Sequence, residues 1–318
     1  MAQTLFDKLW QQHHVKTLPS GEDLVAIDRV FLHERTGSIA LSSLAETGYA
    51  PLRPHHVFCT MDHIVSMDNR RGDIDARMPG GQVFIKATRK YAQAAGIHLI
   101  DVLDHEQGIV HVIAPELGIA QPGLSIVCPD SHTCSLGALG ALAWGIGSTD
   151  AEHAMVTGVL RLQKPRQMRI RIDGQLAPEV TAKDVILHII SQLGAGGGHR
   201  CAIEFCGTTV SDMDIESRLT LCNMAVEMAA FSALIAPDEK TYNYLKGRRF
   251  APPDDDFAMA KEHWQTLASD ATAQFDFEYH FKASNIRPMV SYGTSPEHAL
   301  AIDGQVPDTN LSKDERKA

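Results

Sequence analysis

The chain has 318 residues with 39 acidic and 29 basic side chains, for a net charge of −10 at neutral pH, and 44% of its residues are hydrophobic. This is the composition of an ordinary globular protein, and it excludes disordered and collagen-like classes. The acidic balance argues against nucleic acid as a partner, because affinity for phosphate backbones comes from Lys and Arg. No stretch approaches the roughly 18–20 apolar residues of a membrane span, so no membrane partner is expected either.

The first predicted element is a short amphipathic helix that Thr4 caps, with Leu5, Phe6, Leu9 and Trp10 at helical spacing. Leu24-Val25-Ala26-Ile27 and Val57-Phe58 read as buried strands. Residues 83–95 read as a helix, Ile97-His98-Leu99-Ile100 as a strand, and Leu124-Ser125-Ile126-Val127-Cys128 as another that runs straight into Pro129-Asp130-Ser131-His132-Thr133. Polar residues just past the carboxyl end of a parallel strand are where open α/β sheets place ligands. Residues 136–160, rich in Gly and Ala, read as a close-packed helical region. Gly145-Ile146-Gly147 lacks the third glycine of a dinucleotide fingerprint, and no predicted strand runs into it, which argues against a nucleotide cofactor.

Lys164-Pro165-Arg166 reads as a boundary, and Met168 to Ile172 beyond it alternates in strand fashion. Thr181-Ala182-Lys183-Asp184 resembles a capping box, opening a helix that stops at Gly194-Ala195-Gly196-Gly197-Gly198. Residues 221–234 read as a second buried helix, with Asn223 and Glu227 four apart on one face. From Ser312 onward the chain is polar and reads as a linker. The expected division is 1–165, a first α/β domain with the His-carboxylate motifs; 166–285, a second α/β domain; and 286–318, a tail or the start of a third.

Three local features carry chemistry: Met61-Asp62-His63, Gly108-Ile109-Val110-His111 and Asp130-Ser131-His132-Thr133. A histidine beside a buried carboxylate is held in one tautomer with its protonated form stabilised, which makes it a competent general acid. Each feature sits beside a predicted strand or its end, so with Glu227 they are expected to converge in one cleft. The six cysteines show no C-x-x-C spacing and read as reduced thiols of a cytoplasmic protein. Cys128 and Cys134 stand too far apart for a structural zinc motif, and strand alternation sends neighbouring side chains to opposite faces.

These motifs, together with Gly140-Ala-Leu-Ala-Trp-Gly-Ile-Gly147, Glu204-Phe-Cys-Gly207 and Leu221-Cys-Asn-Met-Ala-Val-Glu-Met228, resemble the aconitase superfamily. Within it they are most similar to the large-subunit family of isopropylmalate dehydratases, a likeness that runs in order to about residue 310. The resemblance implies an α/β fold of parallel-sheet α/β/α layers and a hydro-lyase of leucine biosynthesis. Such an enzyme removes and re-adds water across adjacent carbons of a small hydroxy-dicarboxylic acid, interconverting 2- and 3-isopropylmalate. It implies catalytic roles for Asp62 and His63 as the acid that protonates the leaving hydroxyl, with His111 and Asp130, and His132 and Glu227, as supporting pairs. It also implies substrate-binding positions at His33, Thr36, Ser131 and Asn223, a [4Fe-4S] cofactor, and a separate small subunit as partner, which brings the catalytic serine base.

The departure from that pattern lies in the metal ligands. Family clusters are held by cysteines in Gly-x-Cys-Thr-Asn and Gly-Cys-x-x-Cys motifs, and neither occurs in these 318 residues. No cysteine present is therefore assigned as a ligand; the ligands are expected beyond residue 318, the chain is expected to be truncated before the third domain, and alone it is expected to bind no cluster and to be inactive. Related hydro-lyases of the citraconate, dimethylmalate or homoaconitate type, and a cluster-free binding or assembly module, are the alternative readings.

Overall fold

The computed structural model describes residues 2–68 and 70–306. In chain order the elements are α1 (Leu5–His13), β1 (His14–Thr17), β2 (Asp23–Ala26), β3 (Arg29–His33), α2 (Glu34–Thr47), β4 (Val57–Thr60), α3 (Gln82–Ala95), β5 (His98–Ile100), α4 (Val110–Glu116), β6 (Ser125–Cys128), β7 (Leu142–Gly145), α5 (Ser148–Thr157) and β8 (Val159–Leu162). There follow β9 (Arg166–Asp173), α6 (Ala182–Leu193), β10 (Cys201–Cys206), α7 (Thr208–Asp212), α8 (Ile215–Met224), β11 (Ser232–Leu234), α9 (Glu239–Leu245), α10 (Asp254–Gln265), β12 (Phe277–Lys282), β13 (Met289–Ser291) and β14 (Ala299–Ala301). None of the described helices is long and apolar enough to cross a membrane.

Two parallel sheets organise the chain, in an α/β fold. One has the order β5-β4-β3-β6-β7 and the other β11-β10-β9-β12; β1-β2-β8 form a small antiparallel sheet and β13-β14 an antiparallel pair. In the five-stranded sheet the chain runs outward from β3 through β4 to β5, then returns to lay β6 against the other flank of β3. That reversal creates a crevice at the carboxyl ends of β3 and β6, where neighbouring connections leave in opposite directions. His33 ends β3, Thr60 opposite it ends β4, and Asp130 follows β6 by two residues.

Local signals explain the elements that the sequence predicts. Thr4 Oγ1 accepts from Asp7 N at 2.9 Å and the Asp7 carboxylate reaches back to Thr4 N, a closed capping box at the start of α1. Leu5, Phe6, Leu9 and Trp10 are all buried in the core around the five-stranded sheet. Burying each of these large side chains contributes about 1.5–3 kcal/mol relative to leaving it in water. A second core fills the space between β9, β10, α6 and α8. Although α9 and α10 lie between β11 and β12 of the second sheet in sequence, Leu245, Phe257 and Trp264 pack into the first core.

Three expectations are corrected. Residues 136–160 are not a continuous helical region: a 3-10 segment, Ser131–Leu139, is followed by β7 and then α5. A parallel strand buried over Leu142-Ala-Trp144 shows no alternation, so its period cannot be told from that of a buried helix. Consequently a strand does run straight into Gly145-Ile146-Gly147, with a helix after it. Residues 221–234 are likewise not one helix. The α-helix stops at Met224, a 3-10 turn Ala225–Met228 carries Glu227, and β11 follows. Asn223 and Glu227 therefore lie on different elements. The polar stretch from Ser312 lies outside the described residues.

Candidate active site

Four histidines and four carboxylates assemble where β3, β4 and β6 end. The loop after β4 brings Asp62 and His63; the first turn of α4 brings His111; the turn after β6 brings Asp130, and the 3-10 segment it caps brings His132. Asp130 is the hub. Its Oδ2 lies 3.3 Å from His63 Nε2, and its Oδ1 lies 3.2 Å from His111 Nε2 and accepts from His132 N at 2.8 Å. A carboxylate has lone pairs for all of these partners at once.

His63 is held from both sides, since its Nδ1 lies 2.6 Å from Asp62 Oδ1. The Asp62 side chain is 2% exposed and its Oδ2 accepts from Val110 N at 3.0 Å, so the same carboxylate anchors the imidazole and caps α4. His132 Nε2 lies 3.3 Å from Glu227 Oε1, and its Nδ1 is 3.2 Å from Ser131 Oγ. Asn223 Nδ2 donates to Ser135 Oγ at 2.9 Å, within the same 3-10 segment.

Electrostatics separates these groups. Burial opposes ionisation of Asp130, yet the bonds from His111, His132 and His63 hold it well below the usual carboxylate range. Bonds to Asp130 and Asp62 raise His63 to about 10 against its burial, and Asp130 followed by Glu227 raises His132. His33 moves the other way: burial lowers it, and the neighbouring His63 charge adds to the effect. The His33 ring lies flat against His63, with centroids 3.7 Å apart and planes 13° from parallel. At neutral pH the stack therefore has one neutral ring and one imidazolium.

The expected residues thus come together, with differences in detail. Asp62, His63, His111, Asp130, His132 and Glu227 form a continuous chain of contacts. His33 is 2% exposed, its Nε2 lying 3.1 Å from Pro129 O and 3.0 Å from Thr36 Oγ1. Its ring is buried against that of His63. Ser131 is exposed and, with Asp130, Trp144, Ile146 and Phe231, lines a cavity of about 520 Å³. Sequence reasoning missed Glu34, a fully buried carboxylate beside this cluster. The only signal was an acidic residue directly after an apolar strand run, Arg29-Val-Phe-Leu-His33.

Two glycines make the packing possible. A Cβ at Gly145 would sit 2.6 Å from Asp130 O and 2.9 Å from Ser131 Cα, so β7 approaches the Asp130 turn closely only because this residue has no side chain. A Cβ at Gly137 would fall 1.7 Å from Ala233 O, which is how the segment bearing His132 seats against β11.

The cysteines do not fit a cubane. Five are buried and Cys206 is half-buried. Cys59 and Cys128 belong to the first core, and Cys134, Cys201 and Cys222 to the second. Burial pushes Cys59, Cys128 and Cys222 well up, Cys134 to about 12 and Cys206 to about 11. A cluster requires thiolates converging on one open point; these are protonated thiols divided between two cores, and Cys134 Sγ is turned to Cys222 O at 3.1 Å. His33, Glu34, Asp62 and His63 place ligand atoms within 4.8 Å of one another. Those of Glu34 already accept backbone amides, and His63 Nδ1 is taken by Asp62.

An α/β fold with a hub carboxylate, flanking histidines and a buried orienting aspartate at the sheet's switch point defines an acid-base site at the carboxyl ends of parallel strands. The chain belongs to the aconitase family: the profile described as "Aconitase family (aconitate hydratase)" matches residues 7–318. It is 44% identical over 306 residues to a protein named 3-isopropylmalate dehydratase large subunit 1 from Bradyrhizobium diazoefficiens. That match covers 96% of this chain and 63% of the relative, so the chain spans somewhat under two thirds of the relative's length.

Proposed function

We propose that this chain carries the proton-donating part of a hydro-lyase site acting on a small hydroxy-dicarboxylic acid, and that the reaction is the interconversion of 2- and 3-isopropylmalate in leucine biosynthesis. The observation that carries this reading is His63, held between Asp62 and Asp130 as an imidazolium and 34% exposed. Hydroxide is a poor leaving group, so a positioned acid must protonate it as the carbon–oxygen bond breaks. In the dehydration direction His63 gives its proton to the hydroxyl oxygen and the C–O electron pair leaves with water. A base takes the proton from the adjacent carbon, and that C–H pair becomes the new double bond. Rehydration runs the same steps backward on either carbon. Raised to about 10, His63 is fully loaded at neutral pH and releases its proton only to an oxygen made basic by bond breaking.

His132, raised by Asp130 and Glu227, adds positive charge that favours a carboxylate-bearing substrate. His33, stacked on His63, Thr36, bonded to His33, Ser131 on the cavity and Asn223, bonded to Ser135, are the substrate-binding positions that the resemblance implies. The resemblance assigns the base to a serine of a separate small subunit, which we take to be the partner. Six free thiols agree with a reducing cytoplasmic setting. Because the chain's own thiols do not form a cluster site, we expect it to be inactive by itself. The buried thiols also favour a second reading, a cluster-free binding or assembly module.

The test supplies the purified chain, after anaerobic treatment with iron and sulfide, with 2-isopropylmalate in the absence and presence of the small subunit. Iron is counted by mass spectrometry. A stoichiometric cluster with turnover in the chain alone would overturn the inactivity claim. In whichever assembly turns over, His63→Asn should lose at least 100-fold in kcat, the low end of the usual general-acid contribution of about 10²–10⁴. Unchanged turnover would overturn the assignment. Citraconate, dimethylmalate and homoaconitate serve as competing substrates.

A further inference from the structure

Glu34 is the first residue of α2 and is 0% exposed. Among the described residues no positively charged side chain forms an ion pair with it. Instead its Oε2 accepts from Asp62 N at 3.0 Å, and its Oε1 accepts from Ile64 N and, at 3.3 Å, from Val65 N. Three backbone amides of the loop after β4 thus converge on one buried carboxylate. Burial is the main influence pushing Glu34 up, with Asp62 adding to it and the amides from Ile64 and Asp62 opposing it. Keeping a carboxylate in such a place is expensive unless several donors compensate it.

The consequence runs outward along covalent and hydrogen bonds. The amides Glu34 holds belong to the residues before and after His63. Fixing them fixes the Asp62 backbone, from which one carboxylate oxygen reaches His63 Nδ1 and the other reaches Val110 N at the start of α4. His33, covalently joined to Glu34, lies parallel beneath the His63 ring. Its Nδ1 has no hydrogen-bond partner among the described residues, while Nε2 faces Pro129 O. The dipeptide at the end of β3 therefore contacts the His63 loop twice, through the backbone and through the ring.

We propose that Glu34 is a positioning residue for His63: by gathering the amides of Asp62, Ile64 and Val65 it holds the Asp62–His63 corner in line with Asp130, with His33 as the flat surface beneath. The catalytic consequence rests on the reading of His63 as the acid; the positioning does not. A carboxylate suits the task because it accepts on both oxygens and carries no N–H. In Glu34→Gln, one oxygen still accepts from Ile64 and Val65, but the amide nitrogen confronts Asp62 N–H, donor against donor. The variant keeps volume and loses the bond nearest the Asp62–His63 contact.

The test is an NMR titration of the histidines in the whole chain, comparing wild type with Glu34→Gln and Glu34→Ala. His13, paired with Asp28 far from this corner, reports on the general fold. Glu34→Gln should lower the His63 midpoint by at least one pH unit, a tenfold fall in the ratio of protonated to neutral ring at fixed pH, while leaving His13 unchanged. Glu34→Ala, if it folds, should lower it further. An unmoved His63 in Glu34→Gln overturns the proposal, and so does a fall shared equally by His13, which would make Glu34 merely structural. In an active assembly kcat should fall with KM unchanged. The titration needs no turnover, so failure of the hydro-lyase reading, exposed by an active His63→Asn, is separable from failure of this one.

Discussion

Removing the charge of Asp130 while keeping its shape is the most direct perturbation of the cluster. In Asp130→Asn, His63 loses an anion at 3.3 Å and keeps Asp62 at 2.6 Å. An opposite charge at such range moves a pKa by about 1–3, so His63, at about 10 in the wild type, should titrate about two pH units lower. His132 should move down as well, because Asp130 is the larger of its two supports. Breaking a buried ion pair typically costs about 3–5 kcal/mol, and since His63 and His132 are each about a third exposed, we expect the low end, about 3 kcal/mol at pH 7. The sign with pH is fixed. Asp130 has its folded pKa depressed below the ordinary 3.8, so its stabilisation is present above that value and is lost as pH falls. Urea unfolding at pH 7 and below pH 4, with histidine titrations, reads both quantities. A variant as stable as wild type at pH 7 with unmoved histidines would refute the hub role.

Two further outcomes follow from the packing and from a second ion pair. Gly145→Ala places a methyl against the Asp130–Ser131 backbone, at a cost of about 1–3 kcal/mol, and should lower the His63 midpoint without altering any titrating group; an unchanged titration would show that the Asp130 turn tolerates displacement. His13 Nε2 lies 2.7 Å from Asp28 Oδ2, and despite burial His13 is raised while Asp28 is lowered. The His13 share of stability is complete below 6.5 and fades as pH rises through its raised folded value; the Asp28 share is complete above 3.8 and fades as pH falls through its lowered one. His13→Asn should flatten both limbs in melting temperatures measured across pH 3–9, and retained curvature would assign it elsewhere.

Much of the fold was legible because certain elements carry their own signals. The capping boxes at Thr4 and Thr181 and the apolar faces behind them specify α1 and α6 without reference to the rest of the chain. The region from Ser131 to Leu160 was not legible in the same way. Its glycines, alanines and buried apolar residues suit helix or strand alike, and contacts such as Gly137 against β11 decide between them. The helix expected to join Asn223 and Glu227 failed for a related reason. Propensity continues past Met224, but Ala229 adopts a left-handed conformation at φ 61° and turns the chain into β11.

For the site, residue types beside strand ends nominated Asp62, His63, His111, Asp130 and His132, while Glu227 came from a predicted helix and the family resemblance. Which carboxylate serves which histidine was not local information. Asp130 meets His63 and His111 only because β6 returns to the flank of β3. Glu34 was invisible because its partners are backbone amides, which carry no residue identity, and Arg218, fully buried on a surface-type side chain, pairs with Asp238 twenty positions away. The sequence by itself determined the helices with capped, periodic faces, the strand-end motifs and the chemical inventory, since these depend on neighbours a few residues apart. Tertiary structure decided the Asp130 hub, the neutral His33 beneath a charged His63 and the amide clamp of Glu34. Each of these arises from burial and from contacts between groups far apart in sequence, and burial determines how strongly charges and hydrogen bonds act on one another.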